Sequence, residues 1–314
     1  MKLDEVRKLA SFEFTHSLED QERIYAYLRA AGIDPANLYQ ELEMSSPYVD
    51  THRDISYGNT LVSLHSHTYI EILYCHEAED VEYLVGSNRY KLQKGDILLI
   101  MPGVSHRPIL PETLKTPYVR DVIWINPDFL NDLVAGFPHS PREERPHETL
   151  IRTANTRWEF LGRLFKIGVR EAELRRTGWE AVVMGNTLML LTYLDRAFRE
   201  NSAGLLKAEK PELPDKVTAY IEQHYAEHIT VSDLARKFYV SESSISHLFK
   251  QKLGVSIYRY VTQRRLISAK NLIAEGITLE QVAVQVGFAD YSAFYRAFKQ
   301  EYGISPRQYR NKMT

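Results

Sequence analysis

Hydrophobic positions change their spacing along the chain, and each change predicts a different kind of structure. Residues 1–46 keep a helical spacing that places Ile24 and Leu28 on one face. Residues 47–135 contain short segments, such as YIEILYC and DILLIMP, that are rich in β-branched and aromatic residues and separated by Gly, Asn and Pro. The patterns predict a helical N-terminal arm followed by a compact antiparallel barrel or sandwich.

Helical spacing returns after a polar, proline-rich loop at 136–147. Residues 150–201 carry two apolar stripes that predict a helical hairpin. The stripes consist of Phe160, Leu161, Leu164 and Phe165, then Val182, Val183 and Leu190. A lone hairpin cannot bury this much apolar surface, so we expect pairing with a second subunit in a homodimer. The alternative is packing onto the chain's own β-domain. Residues 202–214 form the predicted linker.

Residues 215–314 are helical in pattern and contain an internal repeat. The segment that begins ITVSDLARKF at Ile229 matches the segment ITLEQVAVQV at Ile277, and both copies end in FKQ-x-x-G-x-S. Natural N-caps precede four short helices: Thr230, Ser241, Thr278 and Asp290. Each copy therefore predicts two helices joined by a tight turn, which is a helix-turn-helix.

The second helix of each copy has an apolar face and a polar face. The residues expected to be buried are Ile245, Leu248 and Phe249, then Phe294, Ala297 and Phe298. The polar faces carry side chains that can bond to base edges or phosphates in a major groove: Ser243, Ser246, His247 and Lys250, then Tyr291, Ser292, Tyr295, Arg296 and Lys299. Double-stranded DNA is therefore the expected partner.

The segment between the two copies and the charge distribution fit the same partner. Helical residues 258–274 would span about 26 Å, which can place two recognition helices in successive grooves roughly 34 Å apart. This segment contains Arg264, Arg265 and Lys270. Residues 211–314 hold 14 Lys and Arg against 10 Asp and Glu, whereas residues 1–210 hold 25 against 31. A positive end on an acidic body favours a polyanion.

The C-terminal pattern resembles the signature of the AraC/XylS family. The signature is filled by Phe288, Phe298, Lys299, Gly303, Ser305, Pro306, Tyr309 and Arg310. The resemblance covers about 215–310 and implies seven helices in two helix-turn-helix units, promoter-specific DNA binding, and usually activation of transcription by RNA polymerase. The first unit departs from it, with Ile257 where the second has Pro306.

A second motif lies in the N-terminal half. Residues two apart on a strand share a face, so His65, His67 and Glu71 can point inward, and His106 can join them from a later strand. The spacing H-x-H-x₃-E, followed by G-D and P-G-x-x-H, resembles the two cupin motifs, and in metal-binding cupins the matching residues coordinate a divalent metal. Three interpretations stay open: a metal site, a metal-free effector pocket, and a polar interior with hydrogen-bonded histidines.

The sequence lacks features that several classes of protein require. Cys75 is the single cysteine, so an intrachain disulfide is excluded. The chain has no long apolar run and no apolar signal core, which predicts a cytoplasmic location away from membranes. It has no glycine-rich phosphate loop or nucleophile motif, so no catalytic residues and no enzyme activity are expected.

These patterns predict a multidomain α+β protein with a cupin-like antiparallel β-barrel, a helical hairpin and an all-α double helix-turn-helix. The expected function is ligand-responsive, sequence-specific control of transcription, with a small metabolite, such as a sugar, as effector. The first alternative is a metal-dependent cupin enzyme fused to a DNA-binding module. The second is an architectural DNA binder without sequence preference.

Overall fold

The computed structural model describes residues 44, 46–56, 64–111, 114–135, 148–200 and 210–311. The predicted arm at 1–46, apart from Met44 and Ser46, lies outside the described residues. So do the predicted loop at 136–147 and residues 202–209 of the predicted linker. In the described ranges, no helix combines the length and the apolar character needed to cross a membrane.

The described N-terminal half is built from two antiparallel sheets. Its strands are β1 (Val49–Ser56), β2 (Ile70–Glu77), β3 (Glu82–Val85), β4 (Asn88–Lys91), β5 (Asp96–Ile100), β6 (His106–Ile109), β7 (Tyr118–Ile125) and β8 (Glu148–Arg152). A five-stranded sheet has the order β1-β7-β2-β5-β8, and a three-stranded sheet has the order β4-β3-β6. Strand β8 lies beyond residues 47–135.

The sheets form two layers that do not close into a barrel in the described strands, so the predicted cupin-like barrel is not confirmed. Side chains alternate across each strand, and Leu73 and Cys75 of β2 enter the core between the sheets. Ile72, between them in sequence, packs on the opposite face. The layers bury their inner faces against each other without closure. Burial raises the pKa of the Cys75 thiol to about 12, as expected for a packing residue.

The described part of the N-terminal half also has three helices: α1 (Pro127–Ala135), between β7 and β8, then α2 (Leu161–Leu174) and α3 (Trp179–Glu200). Helices α2 and α3 form the predicted hairpin, which packs on the outer face of the five-stranded sheet. Leu161, Leu164 and Phe165 are buried in one cluster with Ile72 and Ile123 of the sheet. Burying such a side chain contributes about 1.5–3 kcal/mol to stability.

This packing bears on the predicted dimer interface. Most of the apolar stripe is already covered by the chain's own sheet, because Leu161, Phe165 and Leu190 have no exposed surface. Val182, which was assigned to the same stripe, is 44% exposed. Most of the stripe therefore packs within the chain, which is the alternative stated above, and pairing with a second subunit stays a prediction.

Residues 210–311 form seven helices, the number that the resemblance implied. They are α4 (Leu213–His224), α5 (Val231–Lys237), α6 (Glu242–Leu253), α7 (Ile257–Ala274), α8 (Leu279–Gln285), α9 (Tyr291–Tyr302) and α10 (Pro306–Arg310). Helices α5 and α6 belong to the first unit and α8 and α9 to the second. Each unit has its own apolar cluster, and α7 contributes to both clusters.

The predicted caps delimit these helices. The side-chain oxygens of Thr230, Ser241, Thr278 and Asp290 each accept a hydrogen bond from the backbone N–H three residues later. Gly254 and Gly303 close α6 and α9 in the left-handed conformation, with φ of 68° and 71°. Local side-chain chemistry thus sets the ends of α6 and α9, the second helix of each unit, where recognition residues are expected.

Candidate nucleic-acid interface and interior polar site

Helices α6 and α9 turn their polar faces to solvent. Seven of the predicted recognition residues are exposed: Ser243, Ser246, His247, Lys250, Ser292, Arg296 and Lys299. No carboxylate lies within 4 Å of Arg296 or Lys299 in the described part of the chain. Both cations are therefore available to an anionic partner.

The apolar faces differ from expectation at two positions. The buried stripe of α6 runs through Ile245, Phe249 and Leu253 at a spacing of four residues, which leaves Leu248 at its edge and 40% exposed. Ala297 is half-buried. Prediction from spacing was correct for the centre of each stripe and wrong at its margin.

Two tyrosines of the predicted recognition set are only partly available. Tyr291 and Tyr295 are half-buried, and the ring centroid of Tyr291 lies 6.1 Å from that of Phe294. Burial raises the pKa of Tyr291. Tyr291 therefore packs at the start of α9, in addition to offering a hydroxyl at its surface.

Inside the N-terminal half, three of the four predicted pocket residues converge. His67, Glu71 and His106 are buried, and their potential ligand atoms lie within 4.8 Å of one another. Oε2 of Glu71 is 3.0 Å from Nε2 of His106 and 3.5 Å from Nε2 of His67. His65 lies outside this triplet, although its ring centroid is 4.3 Å from that of His106.

Backbone carbonyls orient both imidazoles. Nδ1 of His67 lies 2.8 Å from the carbonyl oxygen of Tyr69, and Nδ1 of His106 lies 2.9 Å from that of Val104. A carbonyl oxygen only accepts, so each Nδ1 must carry the hydrogen. In a neutral ring Nε2 then holds a lone pair that can bind a cation, and a protonated Nε2 would instead donate to the Glu71 carboxylate.

The Glu71 carboxylate is held by neighbours on two sheets. Burial by itself would raise the pKa of Glu71, but close contact with His106 and His67 holds this pKa well below its usual range. Burial also lowers the pKa of His67. The indole Nε1 of Trp124 donates to Oε1 of Glu71 at 2.9 Å. Nε2 of His106 makes no hydrogen bond of proper geometry to the described residues.

Comparison with known proteins bears on the C-terminal helices. A family described as "Helix-turn-helix domain" matches residues 234–312. The probable transcriptional regulator LumQ of Photobacterium leiognathi is 42% identical over 91 residues, which cover 29% of this chain and 37% of LumQ. An uncharacterized HTH-type transcriptional regulator of Staphylococcus aureus (strain COL) is 29% identical over 225 residues, which cover 71% of this chain and 29% of that protein.

A solved structure is similar to part of the chain. The C-terminal domain of AraT, a response regulator from Geobacillus stearothermophilus, is 29% identical, covers 32% of this chain and 86% of that chain, and has a TM-score of 0.32. The chain spans only about a third of the length of LumQ and of the Staphylococcus aureus regulator, 37% and 29% respectively. The C-terminal part of the chain is an AraC-type helix-turn-helix domain.

In this AraC-type domain, the basic residues of α7 are occupied within the protein. Nε of Arg264 contacts Glu222 at 2.6 Å, and Arg265 donates to the backbone carbonyls of Tyr225 and Glu227 at 2.7 Å. The ammonium of Lys270 lies 5.3 Å from the ring centroids of Tyr302 and Tyr309. These three cations were expected from the sequence to contribute to DNA binding. In the structure their side chains contact other residues of the protein instead.

Sequence reasoning missed several residues of the interior site. Trp124, Arg120 and Tyr118 alternate along β7 and face the core between the sheets, together with Glu71. Arg120 donates to Ser56 and Asp54 at 3.0 and 2.9 Å. The hydroxyl of Tyr118 has no hydrogen-bond partner among the described residues. The period-two pattern Y-x-R-x-V-x-W was the available signal.

Proposed function

We propose that this chain is a sequence-specific, ligand-responsive transcription regulator of AraC/XylS type. The observation that carries the proposal is the pair of capped recognition helices with exposed polar faces on α6 and α9. Helix α7, which joins the two units, has 18 residues and is about 27 Å long. A rigid spacer of this length suits two units that enter successive major grooves of double-stranded DNA.

The test is selection of binding sites by the full chain from a random duplex library, followed by affinity measurement. A regulator binds its selected site at least about 10³-fold more tightly than unrelated DNA at the same salt concentration. Arg296→Ala should reduce this ratio. Lys216→Ala, which removes an exposed cation of α4, is the matched control. Equal affinity for all duplexes would instead identify an architectural DNA binder.

The regulatory output is proposed to be activation through RNA polymerase at a promoter that contains the selected site. In vitro transcription from such a promoter measures the output directly. Increased transcript on addition of the chain supports activation. Reduced transcript would identify a repressor.

The interior site is the proposed place of ligand sensing, and its chemistry favours a divalent metal. Two imidazole lone pairs and one carboxylate converge within 4.8 Å, and each imidazole is anchored through Nδ1 to a backbone carbonyl. Imidazole and carboxylate ligands, with such outer hydrogen bonds, are typical of zinc and related metals. A cation between His67, Glu71 and His106 would satisfy all three atoms.

Metal content decides between the proposals for this site. We expect purified chain to hold about one equivalent of metal by elemental analysis and to lose stability on chelation. His106→Gln should abolish both effects, whereas His76→Gln, on the outer face of the five-stranded sheet, should not. Absence of metal, with no thermal shift on addition of zinc, iron or manganese, leaves a metal-free pocket for a metabolite. Stoichiometric metal together with substrate turnover would favour the enzyme alternative.

A further inference from the structure

The outer face of the three-stranded sheet is covered by α4 and α7, which share one apolar cluster with the first helix-turn-helix unit. Leu84 of β3 and Leu64 share one buried cluster with Val217 and Ile221 of α4 and with Tyr260 of α7. Leu84, Val217 and Ile221 have no exposed surface. The AraC-type domain is therefore docked on the sheet through a continuous apolar contact.

A buried ion pair fixes the register of this contact. Nε and Nη2 of Arg89 on β4 donate to Oδ1 and Oδ2 of Asp215 on α4 at 3.1 and 3.0 Å. Both side chains are 4% exposed. Nη1 of Arg89 also donates to Glu82 at 2.7 Å, and Glu82 pairs with Lys252 of α6 at 3.1 Å. Bidentate geometry makes such a pair directional as well as attractive.

A second polar contact joins β6 to two helices of the docked domain. The Ser105 hydroxyl, immediately before β6, donates to Oε1 of Glu222 on α4 at 3.0 Å. Glu222 also accepts from the hydroxyl of Tyr260 at 3.0 Å and from Nε of Arg264 at 2.6 Å, both on α7. The Ser105 contact therefore reaches the helix that joins the two recognition units.

The same three strands also form one wall of the interior site. His106 points into the site, whereas its neighbours Ser105 and Arg107 face the docked domain, because successive side chains alternate across a strand. On β3, Tyr83 faces the interior and Leu84 the docked domain. A single layer of backbone thus separates the two environments.

We propose that the three-stranded sheet couples occupancy of the His67–Glu71–His106 site to docking of the first helix-turn-helix unit. This inference deepens the proposed function, because it takes that site as the place of sensing. A ligand that moves His106 must move the peptide that carries Ser105, since the close-packed core leaves no free volume for independent adjustment. The contacts of Ser105 and Arg89 then rearrange with it.

Docking determines the orientation of the AraC-type domain and leaves its recognition faces exposed to solvent. Ser246, His247 and Arg296 are exposed in the docked arrangement. Docking instead fixes how α4 and α7 sit on the β-domain, and hence the direction in which the two units face DNA. A ligand shifts this equilibrium only through different affinities for the docked and released arrangements.

Hydrogen exchange of the full chain tests this coupling without DNA or metal. The variants are His106→Gln and Glu71→Gln in the site, Arg89→Gln in the contact, and His76→Gln as the control. We expect each site variant to accelerate exchange of α4 amides roughly tenfold or more, as Arg89→Gln does, while α8 and α9 stay unchanged. The control should leave α4 at the wild-type rate. The combination of His106→Gln with Arg89→Gln should accelerate α4 by less than the product of the two single effects.

Two results would overturn the proposal. One is wild-type exchange of α4 in both site variants, with faster exchange confined to β2 and β6. The other is uniform acceleration that includes α8 and α9, which reports general destabilisation. Glu71→Gln leaves β6 itself unaltered, so it remains informative where His106→Gln fails to fold. Because no ligand or operator is used, the outcome is separate from tests of DNA binding and metal content.

Discussion

Tyr239 and Gly287 occupy equivalent positions in the two helix-turn-helix turns, and both backbones are left-handed, with φ of 57° and 89°. Their surroundings differ. The Tyr239 side chain is 95% exposed, whereas a Cβ on Gly287 would lie 2.3 Å from the carbonyl oxygen of Ala226. The first turn therefore tolerates a side chain that the second has no room for.

This difference predicts unequal effects of two substitutions. Gly287→Ala should lower the free energy of unfolding by more than the roughly 1–2 kcal/mol of left-handed strain, because it also collides with backbone. Tyr239→Gly should stay within about 1 kcal/mol of wild type, since strain relief is offset by backbone entropy. Urea unfolding followed by circular dichroism measures both. Equal stabilities for the two variants would show that the Ala226 contact does not restrict Gly287.

Local sequence signals predicted the C-terminal half in detail. A cap such as Asp290 and a C-terminal glycine such as Gly303 act within one helical turn, so their positions alone delimit α9. Because this segment is repeated in the sequence, a second unit with the same helices was predicted as well. The roles of Arg264 and Lys270 could not be predicted in this way, because their partners Glu222 and Tyr302 are distant in sequence.

The N-terminal half shows where sequence patterns lose information. Periodicity identified the apolar face that contains Phe165 but could not say that the chain's own sheet covers it. His67 and Glu71 lie close together although His67 precedes β2, so strand alternation alone does not account for their meeting. His65 lies outside the triplet and is joined to His106 by an isolated backbone bridge. Non-local pairing of this kind is decided by the whole fold.

Dimerisation remains a prediction, now assigned to the exposed side of the hairpin. Ile167 and Leu174 on α2, and Val182 and Met189 on α3, are each seven residues apart and 43–46% exposed. Seven residues make two helical turns, so each pair forms a solvent-facing stripe suited to helices of a second copy. We expect Met189→Asp to convert a dimer to a folded monomer in sedimentation, and Thr192→Asp to leave the dimer intact. A monomeric wild type would contradict this assignment.

A buried carboxylate outside the proposed sensing site should make stability depend on acid pH. Asp121 of β7 contacts His76 of β2 at 2.6 Å and Arg53 of β1 at 2.7 Å, and Glu173 adds a negative charge near Arg53. Burial favours a higher pKa, but His76 and Arg53 lower the pKa of Asp121.

The stabilisation from this group is complete above its unfolded pKa of about 3.9 and is lost as pH falls toward the lower folded pKa. Urea midpoints should therefore decrease as the pH falls below about 4, and Asp121→Asn should flatten this decrease. Parallel pH profiles for the two proteins would show that Asp121 does not contribute.

Arg296 is the residue on α9 best suited to read a base. It lies six residues after the cap Asp290, is exposed, and its planar guanidinium can donate to O6 and N7 of guanine together. The equivalent residue of the first unit, His247, lacks this two-pronged geometry. The competing role is a phosphate contact, since half or more of protein–DNA hydrogen bonds involve the backbone.

Arg296→Ala separates these two roles when operator variants are measured at two salt concentrations. A base contact predicts a loss of about 1–3 kcal/mol together with relaxed preference at one base pair, because the substitution removes the donors that distinguish guanine. A phosphate contact predicts equal weakening of every sequence and a salt slope smaller by about one. Lys299→Ala, one turn further along α9, serves as the phosphate-type control. Retention of the wild-type rank order of operators by Arg296→Ala, with one penalty at every position, would exclude base reading by this residue.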